Sequence, residues 1–133
     1  GTGRPLRILL AEDEPVSRLS MEALLGKLGH TVTSAPNGRK ALKALAEGTF
    51  DCVLMDIQMP EMDGLEAVRR IRTSRNLRHV ADIPVIALTA YAMTGDRERF
   101  LEAGMDGHVA KPVRFEELKD LLASLPRRGE ARA

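Results

Sequence analysis

Aromatic residues make up only 3% of the 133-residue chain, and Trp is absent. A core must therefore be assembled from Leu, Val, Ile and Ala. The single Cys52 excludes an internal disulfide, and its place in the apolar run CVLM marks it as a buried, inert thiol of a reducing compartment. No apolar stretch approaches the ~18 residues of a membrane span. No basic-then-apolar leader opens the sequence either, so a cytoplasmic domain without membrane contact is expected. An excess of charge of one sign is also missing. Lys and Arg number 20 against 19 Asp and Glu, a formal charge of +1 that gives no general attraction to nucleic acid. No G-x-G-x-x-G follows an apolar run, and neither G-x-x-x-x-G-K-[ST] nor G-x-S-x-G occurs. Dinucleotide binding, nucleotide triphosphatase and serine hydrolase chemistry thus lack their motifs.

What is present is an ordinary globular balance, 44% hydrophobic and 29% charged, in a length that suits one domain. Apolar runs at Leu6–Ala11, Thr31–Ala35, Cys52–Met55, Pro84–Thr89 and His108–Ala110 read as strands. Between them lie helical stripes: Val16, Leu19, Ala23, Leu24 and Leu28; then Ala41, Leu42 and Leu45; then Leu65, Val68 and Ile71. The spacing predicts further helices over Asp96–Ala103 and from Phe115 to Leu125, with a polar loop from about Ser74 to Asp82. Several strands are apolar at successive positions, as strands covered on both faces are. The expectation is an α/β doubly wound domain over residues 6–125, a five-stranded parallel sheet with helices on both faces. Residues 1–5 read as an extension or cloning remnant and 126–133 as a polar tail.

In such sheets ligands bind beyond the carboxyl ends of the strands, where strand order reverses. The flavodoxin-like order 2-1-3-4-5 sets the first and third strands side by side, so Glu12, Asp13 and Asp56 converge. Thr89 ends the fourth strand and Lys111, before Pro112, follows the fifth. Two like charges about 4 Å apart repel by roughly 4 kcal/mol at an effective dielectric of 20, so the cluster needs a cation. Lys111 is one candidate. A hard divalent ion such as Mg2+ is another, because the donors are oxygens with no His or Cys beside them. Such a site suits phosphoryl transfer to a carboxylate nucleophile, with Asp56 the group best placed for attack. Singly, each acid could be a helix cap, Thr89 a satisfied hydroxyl and Lys111 a surface lysine; the combination favours function. His30 and His79 fall in expected loops and are assigned no role. Glu61 and Asp63 are read as parts of a turn outside the cluster.

The segments ILLAEDEPVSR, VLMDIQMPEMDG, PVIALTA and HVAKP, in this order, resemble the response-regulator receiver domain of two-component signalling, most of all receivers of hybrid sensor histidine kinases. The resemblance implies that Asp56 is the phosphoacceptor, that Asp13, Asp56 and the Gln58 backbone carbonyl hold Mg2+, and that Glu12 acts on it through water. It implies a switch hydroxyl at Thr89, a phosphate-pairing Lys111 and a cis bond to Pro112. His108 stands where the family usually has Tyr or Phe; an imidazole at this switch position could make the response sensitive to pH. The implied partner is a histidine kinase or histidine phosphotransfer domain, and the signalling surface is helix four, strand five and helix five. As an isolated domain it is expected to be no enzyme and a monomer or weak dimer; a hybrid parent would be a histidine kinase. A docking module without phosphorylation would lack an acid or the Lys, and a phosphatase would need D-x-D where this chain has AEDE.

Overall fold

Local chemistry starts and stops the helices. Glu14 caps the first by accepting from Ser17 N at 2.6 Å, with Pro15 in the first turn; Asn37 accepts from Lys40 N at 2.9 Å and Asp63 from Glu66 N at 2.8 Å to open the next two. Gly29 and Gly104, at φ 90° and 113°, take the left-handed conformation that ends a helix cleanly. The computed structural model describes residues 5–90 and 95–125. Of the expected terminal segments, residues 1–4 and 126–133 lie outside that range.

The elements are β1 (Arg7–Ala11), α1 (Pro15–Lys27), β2 (Thr31–Ala35), α2 (Gly38–Glu47), β3 (Cys52–Asp56), α3 (Gly64–Thr73), a 3-10 helix (Arg75–Val80), β4 (Val85–Thr89), α4 (Asp96–Ala103), β5 (Gly107–Ala110) and α5 (Phe115–Ser124). The five strands form one parallel sheet in the order β2-β1-β3-β4-β5. The expected order and doubly wound class are those observed. β1 lies between β2 and β3, so the chain reverses its direction of travel there and leaves a crevice above the carboxyl ends.

The continuous apolar strands conceal a strict alternation. Leu9, Val53, Met55, Val85 and Ala87 face one core with Ala41 and Leu45 of α2, Val68 and Ile71 of α3, and Phe100 of α4. Ile8, Leu10, Leu54, Ile86 and Leu88 face the other with Met21 and Leu25 of α1 and Leu118 and Leu122 of α5. Successive side chains point to opposite faces, and both faces are covered. Each fully buried Leu or Ile contributes about 1.5–3 kcal/mol.

One expected loop is a helix. Residues 75–80 form the 3-10 turn, with Leu77 and Val80 buried beside Ile83. Apolar residues three apart suit a 3-10 helix, in which i and i+3 share a face; four polar neighbours, Arg75, Asn76, Arg78 and His79, hid that short stripe. A second feature had no signal in the sequence. Arg72 Nη1 donates to the carbonyls of Ala81 (2.9 Å) and Ile83 (2.6 Å), while Nη2 donates to the Gly104 carbonyl (2.7 Å) and Asp106 Oδ2 (3.0 Å). Asp106 Oδ2 also accepts from Val85 N at 2.8 Å. Arg72 therefore ties α3 to the connections that lead into β4 and β5. A Cβ at Gly104 would stand 2.9 Å from Arg72 Cγ, so close approach as well as φ requires glycine there.

Arg72→Met leaves three carbonyls and a half-buried carboxylate short of a donor. The expected loss is about 2–4 kcal/mol, read as a lower urea midpoint with an unchanged slope.

Candidate active site at the carboxyl ends of the strands

β1 delivers Glu12 and Asp13, β3 ends on Asp56 itself, β4 ends on Thr89, and β5 runs into Lys111. These ends meet because β1 pairs with β3, β3 with β4 and β4 with β5. One carboxylate oxygen from each of Glu12, Asp13 and Asp56 lies within 4.8 Å of the others. Lys111 Nζ donates to Glu12 Oε1 at 2.6 Å and stands 3.3 Å from Asp56 Oδ2. Glu12 is 0% exposed and Asp56 and Thr89 5% each, whereas Asp13 is reached by solvent. The Lys111–Pro112 bond is cis, and Lys111 N donates to the Thr89 carbonyl at 2.8 Å.

Backbone completes the pocket. Asp56 Oδ1 accepts from Gln58 N at 3.1 Å, which brings the Gln58 main chain against the cluster, and Glu12 Oε2 accepts from Glu14 N at 3.1 Å. The chain then folds back: Gly64 N donates to the Ile57 carbonyl at 2.9 Å. A Cβ at Gly64 would overlap the Asp56 carbonyl oxygen and lie 3.0 Å from Ile57 Cα. An open groove of about 620 Å³ leads from Asp13 past Gln58 and Met59 toward Arg99 of α4.

Other candidate residues stand apart. Glu61 is exposed, and Asp63 is used as the cap of α3. His30 Nδ1 accepts from Leu6 N at 2.9 Å and His79 Nε2 is 3.2 Å from the Leu45 carbonyl, both away from the carboxyl ends of the strands. His108 sits in β5 opposite Ala87, its ring edge-on to Phe100 of α4 with centroids 5.7 Å apart. It does not touch the acidic cluster. Arg18, the last residue of the segment ILLAEDEPVSR and one given no role by the sequence, donates from Nη1 to the Glu12 carbonyl at 2.9 Å.

Burial, then the hydrogen bond and charge of Glu12, push the Asp56 carboxyl up to about 7 against the pull of Lys111 and the Gln58 N–H. For Glu12 burial acts upward too, but hydrogen bonds with Asp56 and Lys111 outweigh it and hold the group below the usual range. Burial acts to lower the Lys111 ammonium, yet its bond to Glu12 and the charges of both acids raise it. At mildly acidic pH the Glu12–Asp56 pair thus carries one proton. Fully ionised, three carboxylates against one ammonium leave two negative charges beside solvent. An all-oxygen donor set of that charge fits a hard divalent cation.

Residues 8–123 match the family described as the response regulator receiver domain. The chain is a response regulator receiver domain. It is 36% identical over 121 residues to the sensor histidine kinase GacS of Pseudomonas protegens, covering 91% of this chain and 13% of that protein. To hybrid signal transduction histidine kinase I of Dictyostelium discoideum it is 43% identical over 114 residues, 82% of this chain and 6% of that one. The receiver therefore spans about an eighth or less of the length of these curated relatives. Among solved structures, the receiver domain of sensor histidine kinase PA1611 from Pseudomonas aeruginosa superposes with a TM-score of 0.78 at 42% identity, covering 90% of this chain and 95% of that one. That structure has a magnesium ion coordinated in its active-site cleft. The chemotaxis response regulator CheY4 of Vibrio cholerae superposes at 0.81 with 26% identity, covering 90% and 98%.

The raised Asp56 value makes stability depend on pH. Between its ordinary value of 3.8 and about 7 the folded receiver keeps a proton that the unfolded chain has released, so stability falls as pH rises through that window. Glu12 acts in the opposite sense, only below its ordinary 4.5. In metal-free buffer, Asp56→Asn should gain stability relative to the parent by on the order of 1–3 kcal/mol between pH 5 and pH 8. Thermal melts of both proteins across that range measure it, and parallel curves would contradict the assignment.

Proposed function

We propose that Asp56 of this receiver accepts a phosphoryl group from a phosphohistidine donor with the help of Mg2+. The observation that carries this reading is the Lys111 ammonium held between Glu12 and Asp56 at the point where β1, β3 and β5 end. An Asp56 carboxylate oxygen attacks phosphorus, an O–P bond forms as the N–P bond breaks, and the electron pair returns to the imidazole nitrogen. Lys111 stays ionised and neutralises the phosphoryl oxygens, for which its raised proton affinity suits it. The Gln58 N–H holds one Asp56 oxygen still, so the carboxylate reaches the donor in a fixed orientation. Asp13, Asp56 and the Gln58 carbonyl are the assigned magnesium donors, with Glu12 acting through water; the ion supplies charge neutralisation to the transferring group. Thr89 is assigned the switch hydroxyl, and His108 against Phe100 the switch position that changes the α4–β5–α5 surface.

The donor is a histidine kinase or histidine phosphotransfer domain. Support comes from α1, where Val16 and Leu19, one turn apart and directly after the acidic loop, are 72% and 66% exposed. Large apolar side chains so placed fit a surface that a docking partner covers. A cytoplasmic part of a hybrid sensor kinase, with kinase activity residing elsewhere in the parent and the receiver itself monomeric or weakly dimeric, agrees with the small share of each relative that it matches. No described helix is long and apolar enough to cross a membrane.

Incubation with acetyl phosphate and Mg2+ should add one phosphoryl mass to the intact protein, and chelation or Asp56→Asn should prevent it. An adduct that survives Asp56→Asn would remove the reading. Leu19→Ser should slow transfer from a phosphohistidine donor about fivefold or more while leaving acetyl phosphate labelling unchanged.

A further inference from the structure

Arg18 lies within the first turns of α1, half-buried, and its side chain reaches back over the connection from β1. Nη1 donates to the Glu12 carbonyl at 2.9 Å, beyond Ala11, the last registered residue of β1. Every other polar part of Glu12 is also tied. Its N–H donates to the Ala35 carbonyl at 3.0 Å, Oε1 accepts from Lys111 and Oε2 from Glu14 N. The peptide between Glu12 and Asp13 is therefore held at its oxygen by Arg18, and Asp13 projects from that peptide toward Asp56. Arg18 is also joined to the cap of α1, because its own N–H donates to the Glu14 carbonyl at 2.9 Å.

We infer that Arg18 is a positioning residue for divalent-cation binding: by pinning the Glu12 carbonyl it sets the direction in which Asp13 presents its carboxylate to the cluster. The inference rests on the reading that Asp13 and Asp56 bind Mg2+. Two effects of the guanidinium oppose each other. Its charge repels an incoming cation, so on charge alone its removal would tighten binding. Its hydrogen bond orients a ligand-bearing peptide, and loss of such an orienting partner weakens metal binding by 10–100-fold in known sites. Orientation dominates here because the bond is made to the main chain adjoining a proposed ligand, whereas the charge lies next to solvent and is screened.

Mg2+ titration by calorimetry and acetyl phosphate labelling over a range of Mg2+ test this on the intact chain. Arg18→Met should weaken Mg2+ binding about tenfold, with labelling restored at saturating Mg2+ and a thermal midpoint near that of the parent. Arg18→Lys, which keeps the charge and one donor, should recover most of the affinity. Unchanged or tighter Mg2+ binding by Arg18→Met, or a labelling defect that persists at saturating Mg2+, would overturn the inference alone. Failure of the parent to bind Mg2+ at all would overturn it together with the proposed function.

Discussion

Two buried carboxylates in contact are an unstable arrangement, and one ammonium makes it tenable. Lys111 sits between Glu12 and Asp56 at 2.6 and 3.3 Å, and both acids are nearly inaccessible to water. Removing one partner from such a pair leaves an uncompensated charge in a poor solvent for it, which is why breaking it is far more damaging than its modest net contribution suggests. The rest of the structure serves that contact. β1 and β3 must be neighbours for the acids to meet, and β5 must run parallel two places further along for the lysine to reach them. The same charge balance decides where the spare proton resides. Burial and Glu12 favour the protonated form of Asp56, while Lys111 favours the ionised form of Glu12.

The connection from β1 to α1 shows how several demands fall on one short stretch. Glu12 is inside the site, Asp13 at its mouth, Glu14 caps the helix, and Arg18 returns to hold the Glu12 carbonyl just past the strand. Val16 and Leu19 on the following turn face outward. A helix start is stiff because its cap and first turn are bonded to the strand it leaves. Here that stiffness is placed between a candidate docking face and a candidate cation site.

Much of this was legible in the amino-acid order, for identifiable reasons. The strands were found because strands buried on both faces are apolar at successive positions, and the sheet order because five strand-helix repeats leave few alternatives. Asp56 stood out as an acid terminating an apolar run, and Lys111 as a lysine before proline at another strand end. Local polarity misled at Arg75–Val80, where two apolar residues three apart were outnumbered by their neighbours. Arg18 and Arg72 were invisible for a different reason. Each donates mainly to backbone carbonyls, and a carbonyl is offered by every residue, so no pairing of residue types marks the contact. Asp106 is its counterpart, an acid in a loop whose partners are a main-chain N–H and a distant guanidinium.

The bond between Lys111 and Glu12 joins residues separated by 99 positions, nearly the full span of the described chain. A ribosome therefore releases Asp56 and the acidic pair long before the lysine that balances them. A nascent or truncated chain that ends before β5 carries Asp56 but not its counter-charge, and lacks the edge strand against β4. Such a chain holds the acidic cluster without the ammonium that balances it. The connectivity of the sheet makes the balanced cluster a property of the whole domain and of no part of it.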